Sequence, residues 1–415
     1  MSSILVICEG MAHDYGSVAT VAWKQAIGLS EFQQVHVVSD GFSNFRLHAA
    51  SHSDRALTLE RLGRPDFSFL HRFGFLPREI AWIYLVIACT HRYLKAVSAR
   101  SQSDSVAPVA VICHSHPVAA FLSRWFGDRI RIVMISHGDI FHRPPKTYDP
   151  AITWLYRCTT RPAHLGAALN VALSPVMEAR IRSHGTNNAT IVMIPNGIDA
   201  RDIGLDKKPE TLDSHWQQNP LKILFVGRIM TLKGVDVLIE AAARLKKRGV
   251  DFSIAMIGVS TPDYGLMLQE SIHENKLDEM VRVVGCVSRN DLSHHYLGAH
   301  VVVVPSRDDP LPTVVLEAMA CGRPVVGSDL GGLRLMVEHG RTGLLVPVND
   351  EQALAEALIL LNEKRELMAA MGEAGLSRLA DFSWASNVNS LQHCIQEIIN
   401  RPGPQHSRRK GPRKK

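Results

Sequence analysis

Twelve short runs of β-branched and aliphatic residues, none alternating apolar with polar, recur along the chain with amphipathic stretches between them. In the first half they fall at 4–8, 35–39, 109–113, 131–136, 170–174 and 190–194; in the second at 222–227, 252–258, 281–287, 301–305, 324–328 and 343–348. A strand with no polar face must be covered on both sides, which is the situation of a parallel sheet flanked by helices. The intervening amphipathic segments supply the crossovers, so the pattern reads as repeated βαβ units. The expected class is α/β: two Rossmann-like, doubly wound domains facing a central cleft. The polar segment 198–220 carries no apolar period and separates them as a linker. The expected division is 1–197 for the first domain, 221–383 for the second, a closing helix at 384–400, and a Pro, Gly, Lys and Arg tail at 401–415 that cannot bury a core and is expected to be disordered. Ligands of such sheets bind beyond the carboxyl ends of the strands.

Composition narrows the class. Hydrophobic residues make up 46% and charged residues 21% of the 415, which excludes wholesale disorder. The longest clean apolar run, 80–89, is closed by Arg78 and Glu79 on one side and His91 and Arg92 on the other. It is half of the roughly twenty residues a membrane span needs. The opening MSSILVICEG has neither a basic n-region nor a cleavage site. Seven cysteines, odd in number and never spaced C-x-x-C, fit a reducing cytoplasm and argue against a disulfide framework and a zinc site. His48 and His52 lack the glutamate of a zinc protease motif and read as surface residues. The net charge of +6 comes from the tail, whose seven bases stand without an acid. Residues 1–200 hold 19 bases and 14 acids, residues 201–400 hold 20 and 26. A nucleic-acid partner is therefore not expected, since the body has no basic excess.

Two stretches carry chemistry. FVGRIMTLKGVDVLIEAAARL sets Gly227, Arg228 and Lys233 at a strand end and on the loop opening a helix. Two cations beside helix N–H groups suit a diphosphate, but spacing alone leaves ordinary exposed charges equally open. In PSRDDPLPTVVLEAMACGRPVVGSDLGG, Asp309 precedes a helix starting near Thr313 and Glu317 lies inside it. Such a pair can bracket a polyol while the helix N-terminus offers amides to phosphate. An idle Glu317 among Val, Leu, Ala and Met would be costly to bury.

With these motifs the sequence resembles the family 4 glycosyltransferases, retaining enzymes of the GT-B fold. The resemblance runs strongly from 221 to 399 through the GRxxxxKG-type loop, the acids seven residues apart, LEAMACGRPVV, the glycine pair 331–332, TGLLV at 342–346 and FSW at 382–384. In the first half VICHSH at 111–116, VMISHGDIF at 133–141 and IPNGID at 194–199 follow in order. The resemblance implies that Arg228 and Lys233 hold the donor diphosphate, Glu317 the ribose and Asp309 the transferred sugar, with amides near Thr313 and Val314 on the phosphates. It implies that His137 contacts the sugar near the reacting carbon, and that Gly16, Ser17, Gly227 and Val287 line the donor site. Three departures stand out: Asp309 where Glu is commoner, Arg334 and Leu335 where an acid usually follows the double glycine, and one glycine rather than two in HDYGSVAT.

The implied activity is transfer of a hexosyl unit from a UDP- or GDP-sugar to an acceptor hydroxyl with retention, in polysaccharide, glycolipid or glycoconjugate biosynthesis. No cofactor or metal is expected, in keeping with the absence of any Asp-x-Asp. The expected partners are a nucleotide sugar and an acceptor glycan or lipid-linked sugar. The expected location is the cytoplasm, with peripheral contact at an anionic membrane through the helix at 78–100 and the basic tail. The alternatives are a nucleotide-sugar epimerase of the same fold and a binding protein that has lost turnover.

Overall fold

A computed structural model of the chain describes residues 3–8, 17–39, 57–61, 76–100, 108–137, 150–186, 189–205 and 220–401. The chain divides into two compact units, one made of 1–172, 180–192 and 388–415, the other of 173–179 and 193–387. The basic tail beyond 401, the loop containing Gly16, and His48 and His52 lie outside the described residues.

The first unit is built on a seven-stranded sheet: β1 (Ser3–Cys8), β2 (Gln34–Ser39), β3 (Leu57–Arg61), β4 (Val109–Cys113), β5 (Ile130–Ser136), β6 (Leu169–Ala172) and β7 (Ile191–Met193). Their spatial order is β3-β2-β1-β4-β5-β6-β7, so the direction of winding reverses between β1 and β4. The pairings from β3 across to β6 are parallel. Six of these strands are the apolar runs of the first half. The seventh, β3, reads LTLER and alternates polar with apolar. It pairs only with β2 at the sheet edge, where a strand need not be uniformly apolar to be stable.

Helices α1 (Ser17–Ser30), α2 (Leu76–Arg100), α3 (His116–Phe126), α4 (Pro150–Gly166) and α5 (Pro175–Ser183) follow in chain order. Trp82, Ile83, Val86 and Leu94 of α2 and Leu122 and Phe126 of α3 pack with Leu5, Val111, Ile132 and Met134 of the sheet. By length and composition Ile80–Ala99 would suffice to cross a bilayer. Its buried side chains recur at helical spacing and meet the sheet, which makes it a core helix with one outward face.

The second unit holds β8 (Leu221–Val226), β9 (Phe252–Ile257), β10 (Val281–Gly285), β11 (Val301–Val304), β12 (Val325–Ser328) and β13 (Gly343–Val346) in the order β10-β9-β8-β11-β12-β13, all parallel. All six runs of the second half form strands here. Winding reverses between β8 and β11, and the crevice at such a point is where doubly wound sheets bind ligands. The helices are α6 (Val235–Lys247), α7 (Pro262–Glu274), α8 (Leu292–Gly298), α9 (Thr313–Ala320), α10 (Gly331–Met336), α11 (Glu351–Glu363) and α12 (Arg365–Arg378); the last helix, α13 (Trp384–Asn400), starts here and from Val388 on belongs to the first unit. Val235, Leu238, Ile239 and Ala242 of α6 and Leu354 and Leu358 of α11 fill the core against Ile223, Phe225, Ile254 and Val303.

The segment expected to link the domains is ordered at its start. Asp199 caps a single 3-10 turn, Ala200–Ile203, and Ser293 Oγ donates to the Gly204 carbonyl at 3.0 Å. Residues 206–219 lie outside the described residues. Just before this turn, Asn387 Nδ2 donates to the Pro195 carbonyl at 2.7 Å and the Ile198 amide to Phe382 at 2.9 Å. These bonds explain why IPNGID and FSW matter together: they are one packed join within the second unit.

Candidate functional site

In the second unit the chain turns sharply after β8. Gly227 and Arg228 leave the strand, and a single 3-10 turn, Thr231–Lys233, leads into α6. Gly234 caps that turn with φ +66, a conformation in which a β-carbon is disfavoured. A β-carbon at 234 would also overlap the Pro305 carbonyl oxygen just beyond β11. Glycine thus lets the two loops on either side of the reversal close on each other. Lys233 Nζ spans the gap and donates to Asp309 Oδ2, both side chains being largely buried. Arg228 is exposed and its guanidinium has no partner among the described residues.

A residue that sequence reasoning missed fixes this loop. Arg307 donates to Asp236 through both terminal nitrogens, at 2.7 and 2.5 Å, and to Asn349 Oδ1 at 2.6 Å. It also donates to the Thr231 carbonyl, and its own amide to Leu232 at 2.9 Å. The bidentate Asp236 pair raises the Arg307 pKa above its ordinary value, so the brace stays charged. No motif marks Arg307, because Asp236 lies 71 residues away in the chain.

The acids seven residues apart have different surroundings. Asp309 is part-buried and held by Lys233; Glu317, inside α9, is 5% exposed and accepts from the Tyr296 hydroxyl at 2.7 Å. Burial pushes the Glu317 carboxyl up, and the bonds from Tyr296 and Thr313 pull it partly back. Burial and the neighbouring carboxylate push the Tyr296 hydroxyl well up, so it remains a donor. Arg323, fully buried, donates to the carbonyls of Tyr296 at 3.0 Å and Leu297 at 2.6 Å. Burial pushes its pKa down to about 10, which still leaves it charged at neutral pH. The arginine of the ACGRPVV landmark therefore holds the end of the helix that presents Tyr296 to Glu317. Sequence carried no signal for Tyr296.

The N-terminus of α9 lies between the two acids. The Val315 amide bonds back to Pro312 at 3.1 Å, while Thr313 and Val314, half-buried, occupy positions whose amides have no helical acceptor. The double glycine is explained by the loop it faces: a β-carbon on Gly332 would overlap the carbonyl oxygens of Asp309 and Pro310. Arg334, in place of the family's acid, is turned to an exposed pair with Asp329, 2.7 Å from Nη2 to Oδ2. Val287 follows β10, half-buried.

The first unit contributes a separate feature. His114, just after β4, and His137, just after β5, stack with ring centroids 5.0 Å apart and share a hydrogen bond of 2.7 Å between Nδ1 and Nε2. Burial pushes His137 down to about 4 and His114 well below its ordinary value, the second ring adding to the effect. Both are neutral at pH 7, so one ring donates to the lone pair of the other. His114 Nε2 is buried with no partner among the described residues. His116, the other histidine of VICHSH, turns away to meet His164 and Tyr156 edge-on. Ser17 opens α1 at the end of the loop after β1.

Comparison with known proteins identifies the family. A model described as "Glycosyltransferase Family 4" matches residues 18–202, and one described as "Glycosyl transferases group 1" matches 207–378. The chain is 31% identical over 240 residues to a D-inositol 3-phosphate glycosyltransferase of Pseudarthrobacter chlorophenolicus, covering 57% of each chain. It is 36% identical over 179 residues to one from Corynebacterium jeikeium, covering 42% and 43%. The chain thus spans about half the length of the curated relatives it matches. In structure it is similar to Anabaena HepE, solved with UDP and glucose, with TM-score 0.72 at 19% identity over 96% of this chain and 100% of that one. Sucrose-phosphate synthase from Thermosynechococcus elongatus gives TM-score 0.74 at 20% identity over 96% and 99%. With both units matched by glycosyltransferase models and the architecture shared with GT-B structures, the chain belongs to glycosyltransferase family 4.

Proposed function

We propose that the chain transfers a hexosyl unit from a UDP- or GDP-sugar to an acceptor hydroxyl, retaining the anomeric configuration. The observation that carries this reading is the Lys233–Asp309 bridge across the strand reversal of the second unit, beside the N-terminus of α9. In the reaction the bond between the anomeric carbon and the phosphate oxygen breaks, and a bond to the acceptor oxygen forms on the same face. The acceptor proton passes to the departing phosphate oxygen. Lys233 and Arg228 neutralise charge growing on the diphosphate, and the Thr313 and Val314 amides add fixed dipoles at the same group. The cations take the part a metal ion plays elsewhere, so the proposed chemistry needs no cofactor. Glu317, oriented by Tyr296, accepts ribose hydroxyls, and Asp309 accepts a hydroxyl of the transferred sugar. In the first unit the neutral His137 can donate a hydrogen bond without adding charge. The UDP and glucose bound by HepE support a uridine donor.

Thermal stabilisation by UDP-, GDP- and ADP-sugars tests the donor reading. One nucleotide class should raise the melting temperature, by about 2.7 kcal/mol of linkage at a hundredfold excess over Kd. Glu317→Gln should weaken that nucleotide diphosphate with or without its sugar, whereas Asp309→Asn should change only the preference among sugars. Equal losses of sugar-free diphosphate in both variants would contradict the division of roles.

The proposed acceptor is a glycan or a lipid-linked sugar, met at the inner surface of a membrane. Helices α2, α3 and α4, neighbours in the first unit, carry seven Lys or Arg and one acid, Glu79. Tyr84, Phe121, Trp125 and Trp154 are exposed on these helices, as are Arg92, Lys95, Arg124, Arg157 and Arg161. Aromatic rings with cations are the composition of an interfacial face. Vesicles with anionic lipid should bind the protein in low salt and release it in high salt, and Trp125→Ser with Trp154→Ser should abolish sedimentation. Binding that ignores both lipid charge and these substitutions would remove this face from the account. The basic tail at 401–415 is proposed to add to the attraction; comparing full-length protein with 1–400 isolates its share.

A further inference from the structure

Away from the donor site, three side chains of different chemistry converge in the first unit. His36 comes from β2, Glu60 from the edge strand β3 and Cys89 from α2. Their donor atoms, His36 Nε2, Glu60 Oε2 and Cys89 Sγ, all lie within 4.8 Å of one another. Nε2 is 3.0 Å from Oε2, and Sγ, whose thiol donates to the same oxygen, is 3.2 Å from it. Donor atoms around a tetrahedral zinc, with Zn–N and Zn–O near 2.0 Å and Zn–S near 2.3 Å, sit about 3.3–3.7 Å apart. The two pairs that share Glu60 Oε2 therefore need to open by only a few tenths of an ångström, and the Nε2–Sγ pair, within 4.8 Å, needs to close by at most about 1.3 Å.

We propose that His36, Glu60 and Cys89 form a zinc site that fastens the edge strand β3 to β2 and α2. Imidazole, carboxylate and thiolate together suit a borderline-soft divalent ion, and three protein ligands leave a fourth position for water. Neighbouring side chains orient two of the three ligands. Arg92 Nη2 donates to Glu60 Oε1 at 2.6 Å, which leaves Oε2 turned toward the other two ligands. The ring of Tyr93 stacks on His36 with centroids 4.9 Å apart and fixes its plane. On binding, the thiol proton leaves to solvent and the sulfur's hydrogen bond to Glu60 is replaced by a bond to the metal. The role assigned to the ion is structural because its ligands come from three separate elements, β2, β3 and α2, which it would join. It is independent of the proposed transferase reaction, which draws on the cations of the other unit. Sequence gave no metal pattern because the ligands are 24 and 29 residues apart on separate elements.

Cobalt(II) titration tests the proposal, because cobalt reports both thiolate ligation and tetrahedral geometry by absorption. Cys158 and Cys286 are exposed, so the titration is done in a Cys158→Ser, Cys286→Ser background. One equivalent of cobalt should bind with a thiolate-to-cobalt charge-transfer band and intense tetrahedral d–d bands, and zinc should displace it. Cys89→Ser should abolish the charge-transfer band, and His36→Gln should weaken binding at least tenfold, with donor-sugar binding unchanged in both. A background protein that shows no charge-transfer band, or one whose band survives Cys89→Ser, overturns the site and leaves a hydrogen-bonded cluster. If Cys89→Ser does not fold, the titration of the background protein with the His36→Gln comparison still decides.

Discussion

Lys233→Ala is expected to lower turnover by two to three orders of magnitude while leaving the fold intact. Deleting a preorganised group that stabilises charge in the transition state costs about 3–4 kcal/mol, and Lys233, unlike Arg228, is held in place at the strand reversal. It is tied to Asp309 on one side, and its turn is braced by Arg307 on the other. The stability loss should be near 1 kcal/mol, because the bridge is part-exposed and Asp309 can recover water. Arg228→Ala should act in the same direction but less strongly, since Arg228 is exposed and has no partner among the described residues to hold it in place. Single-turnover assays on folded proteins check both, and near-normal turnover in Lys233→Ala would sink the proposed role.

Gly234→Ala is expected to have the largest effect on stability of any single methyl addition near the site. The left-handed conformation costs a non-glycine residue about 1–2 kcal/mol. The methyl group would also collide with the Pro305 carbonyl, a backbone atom that cannot rotate aside. Overpacking of this kind adds about 1–3 kcal/mol, and a unit of this size loses roughly 2–4 °C of melting temperature per kcal/mol. Turnover should fall as well, because relief of the clash moves the turn that carries Lys233. Gly249 provides the control: its φ is +71, yet a β-carbon there meets nothing within 4 Å. Gly249→Ala should show the conformational cost alone, with turnover unchanged. Equal destabilisation of the two variants would mean that the approach of the loops across the reversal is not what glycine serves.

Much of the fold was legible because buried parallel strands leave a compositional mark. All twelve apolar runs became strands, and among the described residues the one strand not foreseen, Leu57–Arg61, is the edge strand whose sequence alternates. The motif residues of the second unit were legible for a similar reason, since backbone turns confine them to short stretches. Gly227, Arg228 and Lys233 lie on one loop, and Thr313, Val314 and Glu317 on one helix.

The sequence alone determined the class, the positions of the strands, and which short segments carry charge at strand ends, because each depends on residues within one turn or strand of each other. Only the tertiary structure decided which of those charges meet. Lys233 finds Asp309 76 residues away, Glu317 finds Tyr296 21 away, and His114 finds His137 23 away. Arg307, Arg323 and the His36–Glu60–Cys89 group owe their roles to the same cause. Winding order sets these meetings: two strands become neighbours, and their end loops converge, only after the crossovers have been placed. No local pattern encodes that choice, because it is made by burial of the whole sheet.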